Sequence, residues 1–386
     1  MPIYCDNNAT TAVDPDFIPH LTRHLHAGPI NPSSVHRLGQ EGKQLLSDSR
    51  STVARYLRVP PSTITFTSGG TESLNTLILG VVRGQHFDCI LSTHLEHACV
   101  YETVKELEST GHPVTYLNPN GAMSLLEQLQ SIPHKKVCVI LSSVNSETGD
   151  VLPLEVISAL CFQKNWVLLI DGVAQLGKMK LNIYPGITGM GFSGHKIHAL
   201  KGVGFYYLKE STPFHPVSYG GPQERQKRPG TENLLGIISL TLAIEKLEAR
   251  ESEIFQTLAD LTSQFIETLH RQGCSPLING VGPRIANMVN LHFPGIDGET
   301  LLIALDQRGV CCSTGAACAS GGLTPSRVLI QLGYGKVRAK ESLRFSFSRL
   351  NTPDEVIQAA QIVAETCAEI KNIFVKNKKP LLVELN

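Results

Sequence analysis

From residue 63 to residue 208, short runs rich in β-branched and apolar residues alternate with longer segments of mixed polarity. That rhythm predicts an α/β arrangement around a largely parallel sheet. TITFTSGGTESLNTLILGVV (63–82) reads as a strand, a Gly-Gly turn and a helix. FDCILSTHLEH (87–97), VCVILSSVN (137–145) and WVLLIDG (166–172) read as strands ending in polar residues, and VGFYYL (203–208) as one more. In open α/β sheets, ligands gather outside the carboxyl ends of such strands.

The pattern changes at GGPQERQKRPGTEN (220–233), a loop rich in Gly, Pro and charge. Beyond it, from 234 to 271, apolar residues recur at three- and four-residue intervals, the period of a long helix. ANMVNLHF (286–293) and SLRFSFS (342–348) read as strands, and 353–373 as a closing helix. The expected organisation is a large unit over 15–233 and a smaller one over 234–386, with residues 1–14 packed on the smaller.

Composition narrows the function classes. At 386 residues the chain exceeds one small core, and it is 42% hydrophobic and 18% charged with zero formal net charge. Nothing in that balance draws it toward nucleic acid or anionic lipid. No apolar run approaches about 18 residues, and the start MPIYCD lacks a basic region followed by an apolar stretch. The expectation is a cytoplasmic protein without a membrane span. Ten cysteines without a repeating framework suggest reduced thiols.

The candidate chemistry gathers around GFSGHKIHALKGVGFYYL (191–208), which sets Lys196 between apolar stretches. A partly desolvated amine has a lowered pKa and can form an imine with an aldehyde, whereas a surface lysine would snorkel to water. Gly69-Gly70-Thr71 lies between strand and helix, where exposed amides and a hydroxyl suit a phosphate, although Thr71 could simply cap the helix. Asp171 ends an apolar strand and could hold the proton of a heterocyclic nitrogen, or belong to a structural ion pair. A phosphate cradle, an acid for a pyridine nitrogen and an imine-forming lysine are together what pyridoxal 5′-phosphate requires.

Three further features stand apart. Cys318 sits in CCSTGAACASGGLTPS (311–326), a run of small residues expected to be mobile, as a thiol that must enter a pocket and leave it again would need. An ordinary surface loop with an unreactive thiol has the same composition. Cys311 and Cys312 read as buried or bystander thiols, since their spacing alone makes no zinc site. Arg344 in SLRFSFS offers a fork for a carboxylate or a structural salt bridge. His94 and His97 have no evident third ligand for a metal, so a ring stacked on a cofactor, or a satisfied structural histidine, is the better reading.

Taken together these residues resemble a group I, NifS-type cysteine desulfurase of the class V aminotransferase superfamily, with the PLP-dependent transferase fold type I. The resemblance is carried along nearly the whole chain by DNNATT (6–11), NPSSVHRLG (31–39), FTSGGTES (66–73), THLEH (93–97), SGHK (193–196), RPGTEN (228–233) and STGAAC (313–318). The long cysteine loop is similar to that of the first group, not to the compact His-His-Cys loop of the second. The resemblance implies that Lys196 bonds the cofactor, Asp171 pairs with its pyridine nitrogen, and Gly70, Thr71, Ser193, Gly194 and His195 bind its phosphate. It further implies that Thr231 reaches the phosphate in the other subunit of a homodimer. His97 would stack on the ring and assist proton transfer, and Arg344 would hold the substrate carboxylate. The implied reaction converts L-cysteine to L-alanine and leaves a persulfide on Cys318 for an acceptor such as an iron–sulfur scaffold, with no nucleic-acid contact beyond an indirect part in tRNA thiolation.

Two departures qualify the match. Where the family reads Asp-x-x-Gln, this chain has Ala174, with Gln175 one residue late; where it reads Asn-Asn-Glu, this chain has Asn145-Ser146-Glu147. Both missing amides approach the cofactor's phenolic oxygen in the family, so the expectation is an active but differently tuned enzyme, with the Ser146 hydroxyl a partial substitute. A selenocysteine lyase shares the same residues and is the alternative reading. A degenerate, non-catalytic interaction protein is the alternative from another class.

Overall fold

A computed structural model of the chain describes residues 2–119, 123–315 and 325–377. Its main sheet has seven strands in the order Ile64–Thr67, Gly204–Leu208, Gly189–Ser193, Val167–Asp171, Val137–Ser142, Cys89–Thr93 and Val114–Leu117. The last five run parallel to one another, and Gly204–Leu208 is antiparallel to both of its neighbours. Ile64–Thr67 therefore points the same way as the parallel set. Thr67, Thr93, Ser142, Asp171 and Ser193 all finish at one edge of the sheet. Four of the strands that bear these ends, Ile64–Thr67, Cys89–Thr93, Val137–Ser142 and Val167–Asp171, are buried almost throughout, which is why they read as continuous apolar runs and not as alternation.

Two strands of this sheet left no legible signal. Gly189–Ser193 has the sequence GMGFS, and its glycines make room for the helix Gly70–Gly84. A Cβ on Gly189 would stand 2.6 Å from Leu77 Cδ1, and one on Gly191 2.7 Å from Leu74 Cδ2. The close approach of helix to sheet removes the side chains by which a strand is recognised. Val114–Leu117 lies at the sheet edge, is short, and is only partly buried.

A second core is built on the antiparallel strands Ser342–Ser346, Met288–His292 and Leu277–Ile278, with Ile3 and Cys5 packed into it. Ile3–Tyr4 pairs in parallel with Val310–Cys311. The helix Leu234–Arg271 is shared between the two cores. Its residues from Ile237 to Leu258 pack with the large sheet, whereas Leu261, Phe265 and Leu269 pack in the second core. Arg250 leaves helical geometry within the first of these stretches, at φ −134°. The apolar stripe is continuous across both halves, so its period could not reveal that the packing partner changes. Among the described residues no helix is long and apolar enough to cross a membrane.

Candidate active site

The strand ends converge on a cavity of about 220 Å³. Asp171, at the end of its strand, is 7% exposed and lines the cavity floor. Its Oδ1 accepts the amide of Val173 at 2.9 Å. Burial raises its pKa to about 6, opposed by that amide and by the charge of Lys196. An acid so placed gains most from a buried cationic N–H, which would restore its charged form.

Lys196 closes the turn Gly194–Lys196 that follows the strand Gly189–Ser193. Its Nζ donates to the carbonyls of Asn8 and Ala9, the latter at 2.7 Å. The DNNATT segment is thus a cover over the lysine, tied down by Thr11, whose amide and hydroxyl both donate to the His195 carbonyl at 2.9 Å. His195 lines the cavity, with Nδ1 3.1 Å from the Thr10 hydroxyl. Burial, and then the charge of Lys196, lower its pKa to about 4.

Opposite the lysine, the helix Gly70–Gly84 opens with Gly69 as its cap, so Thr71 is in the first turn and is not the capping residue. Gly70 and Thr71 line the cavity. A Cβ on Gly70 would lie 3.0 Å from Val173 Cγ2 and 3.3 Å from Ser193 Cβ, so a side chain here would crowd the corner that glycine leaves open. Ser193 Oγ, buried beside it, has no hydrogen-bond partner among the described residues. First-turn amides, the space left by glycine and an orphan hydroxyl fit a phosphate.

His97 caps the helix Ala98–Ser109, its Nδ1 accepting the Cys99 amide at 3.2 Å. That bond leaves the proton of the neutral ring on Nε2. Burial first, then the charges of Lys196, Arg327 and Arg344, lower its pKa to about 4. His97 is therefore a neutral ring in the cavity wall at physiological pH. His94 points elsewhere: it stacks on Tyr116 at 4.2 Å and 13°. Among the described residues no group of three or more His, Cys, Asp or Glu is arranged to hold a metal.

The structure moves several expected residues away from the cavity. Gly194 does not line it, because its amide donates to Val203 O at 3.0 Å as part of the turn that presents Lys196. Thr231 lies on a separate cavity of about 70 Å³ with Glu224 and Arg228, so within one chain it does not meet this site. Gln175 is buried with Nε2 on Lys180 O at 3.0 Å and does not compensate for Ala174, whose methyl group does line the wall. Arg344 is buried in an ion pair with Asp6 at 2.7 Å, and its other arm holds the carbonyl of Ser146 at 2.9 Å. Ser146 itself faces the cavity, so Arg344 stands one residue behind the wall. Cys318 lies outside the described residues. Cys312 is a partly buried thiol packed against the second core, and desolvation pushes its pKa well above the usual range.

Sequence reasoning missed Lys178 and Glu96. Lys178, in QLGKMK, looks like a surface residue, yet it is 5% exposed and donates to the Lys196 carbonyl at 2.9 Å. Burial, then the charge of Lys196, lower its pKa to about 7. Glu96 is buried between the hydroxyls of Ser142, at 2.5 Å, and Thr93, at 2.6 Å, and burial raises its pKa to about 7. Neither residue type carries a periodic signal that announces burial.

Comparison with known proteins places this geometry in context. The family model described as aminotransferase class-V matches residues 3–358. The chain is similar to a cysteine desulfurase of Nostoc sp., 35% identical over 96% of this chain and 94% of the relative. It is also similar to a putative cysteine desulfurase IscS 1 of Bacillus subtilis, 33% identical over 94% of this chain and 98% of the relative. Among solved structures it resembles a NifS-like protein with a TM-score of 0.87 and 30% identity, covering 96% of this chain and all of the other. A NifS-like protein from Rickettsia africae follows at TM-score 0.82 and 28% identity, covering 96% of this chain and all of that one.

Proposed function

The chain belongs to the aminotransferase class-V family and is a pyridoxal 5′-phosphate-dependent cysteine desulfurase, and from that premise we infer how its own residues divide the work. Lys196 would hold the cofactor covalently and Asp171 would face its ring nitrogen. His97 would lie on the ring, while Gly70, Thr71, Ser193 and His195 would surround its phosphate. The observation that carries this reading is that a sheltered lysine, a buried acid and a glycine-opened helix end line one cavity.

When bound, the cofactor supplies an electron sink that acidifies the Cα–H of the substrate. Once freed from its covalent bond by the substrate amine, Lys196 Nζ would be the base that takes that proton, with the carbonyls of Asn8 and Ala9 within its reach. His97, neutral with its proton on Nε2, can donate a hydrogen bond without adding charge. Arg344 would exchange its bond with Asp6 for the substrate carboxylate. The Cys318 thiolate would then bond to the substrate sulfur as the Cβ–S bond breaks; the electron pair of that bond stays with Cβ, which takes a proton, and Cα regains the proton held by Lys196, so that alanine leaves. The persulfide so formed is handed to an acceptor of the iron–sulfur scaffold kind. Thr231, away from its own chain's cavity, would serve the phosphate of a partner subunit in a homodimer.

The test is mass spectrometry of the peptide containing Cys318 after incubation with L-cysteine. One added sulfur is expected. A cofactor-loaded sample that makes alanine without that mass change removes Cys318 from the mechanism.

The departures at 146 and 174 are tested by restoring the amides. Ala174→Gln together with Ser146→Asn is expected to shift the cofactor's visible absorbance and change turnover by about two- to tenfold, the worth of one or two hydrogen bonds. Unchanged spectrum and turnover would show that neither position tunes the cofactor.

A further inference from the structure

We propose that Arg327 is a positioning residue for sulfur transfer, fixing the stem of the Cys318 segment on the turn that carries His97; this rests on the functional reading above. Pro325, Ser326 and Arg327 follow directly on residues 316–324. Arg327 does not bond within its own short helix, Arg327–Gln331, but across to the turn 94–97. One arm of its guanidinium donates to the carbonyl of His94 and the other to that of Glu96 at 2.7 Å. The plane lies over the Tyr101 ring, with Cζ 3.9 Å from the centroid. Leu95, between the two acceptors, has its carbonyl held by Asn145 Nδ2 at 3.0 Å. All three carbonyls that precede His97 are therefore fixed from other parts of the chain.

The neighbouring bonds extend this arrangement. Ser326 donates its hydroxyl to Glu147, two residues from Asn145 in the same turn. The other stem reaches the same place: Ser313 exchanges backbone bonds with Arg344 at 2.6 and 3.2 Å, and a Cβ on Gly315 would lie 3.2 Å from Glu147 Oε2. Both stems of the segment thus meet at the 145–147 turn. The Arg327 stem is tied also to the turn that carries His97, the wall residue expected against the cofactor ring. An ordinary surface arginine would have one carboxylate partner and a mobile side chain. Here a planar fork spans two carbonyls of one turn, a geometry the point charge of lysine cannot reproduce.

Sulfur transfer needs the thiol at attack distance from the substrate sulfur, and displacement by about 1 Å costs about a hundredfold. Arg327→Ala and the volume-conserving Arg327→Met are therefore expected to slow single-turnover persulfide formation on Cys318 by about tenfold or more. The absorbance titration of the loaded enzyme with L-cysteine should stay within about threefold of the parent, and Arg327→Lys should recover only part of the lost rate. Persulfide formation at the parent rate overturns the proposal. So does loss of cofactor absorbance or cysteine affinity in step with the rate, because Arg327 would then serve the pocket as a whole.

A second readout is independent of the reaction. The rate of Cys318 alkylation by iodoacetamide, followed by peptide mass with Cys311 as the reference, should rise about threefold or more in both variants. An unchanged ratio overturns the anchoring. If the parent enzyme gains no sulfur on Cys318, the functional reading fails, while the alkylation ratio still decides whether Arg327 anchors the segment.

Discussion

Replacing Lys196 by alanine is expected to cut desulfuration by about 10⁴-fold or more, the combined loss of a covalent anchor and a general base. Borohydride should no longer fix the cofactor to the chain, and dialysis should remove it. The fold should survive. The strand Gly189–Ser193 and the turn behind it are held by backbone bonds, including Gly194 to Val203, that do not involve the lysine side chain. Lys196→Arg is expected to behave like the alanine variant, because a guanidinium stays protonated and cannot act as the nucleophile. Reducing the loaded protein with borohydride and mapping the labelled peptide checks the assignment. Label retained in Lys196→Ala would move the covalent site elsewhere, and Lys178, the other buried amine in this cavity, would be the first place to look.

The second large effect is expected at Asp171. Asp171→Asn keeps the acceptor for the Val173 amide but cannot carry the charge that holds a proton on a ring nitrogen, and turnover should fall by about 10²–10³-fold. The pH dependence gives a second signature. Burial places the Asp171 pKa at about 6 without the cofactor. Acidification below that value protonates the carboxyl and removes the charge, so cofactor affinity should weaken by about tenfold per pH unit below pH 6. In Asp171→Asn this limb should be absent.

The linkage has a definite sign. A carboxyl whose folded pKa is raised from 3.8 to about 6 favours the fold while protonated and loses that contribution as pH rises between the two values. Above pH 6 the cofactor-free protein therefore carries an uncompensated buried charge. Asp171→Asn should be the more stable apoprotein at pH 7, by about 2–3 kcal/mol. Thermal melts of the two apoproteins at pH 5 and pH 7 check this: the gap should open with rising pH. A gap that narrows would show that Asp171 is paired inside the empty protein.

Much of this site could be read before folding was considered, and the reason is local. A strand–Gly-Gly–helix sequence places amides and space together within a few residues, so 63–82 was legible as a possible phosphate cradle. Lys196 stood out because apolar residues flank it on both sides. Arg344 was legible only as two alternatives, and the structure shows it in the commoner one, paired with Asp6. Thr71 as a helix cap gave way to Gly69, and the Gly194 amide is taken by Val203 O. Each depends on which backbone group takes which partner, a choice made by the next strand or the next turn of chain.

Residue types and periods along the chain determined its α/β class, the order of most elements and the set of groups able to do the chemistry, because these depend on neighbours in sequence. Folding decided which groups meet. It laid Asn8 and Ala9 over Lys196, buried Lys178 and Glu96, brought a helix close against the glycines of the strand Gly189–Ser193, and set Arg327 on the His97 turn. Burial and long-range hydrogen bonding depend on what arrives from elsewhere in the chain, and no local pattern encodes that.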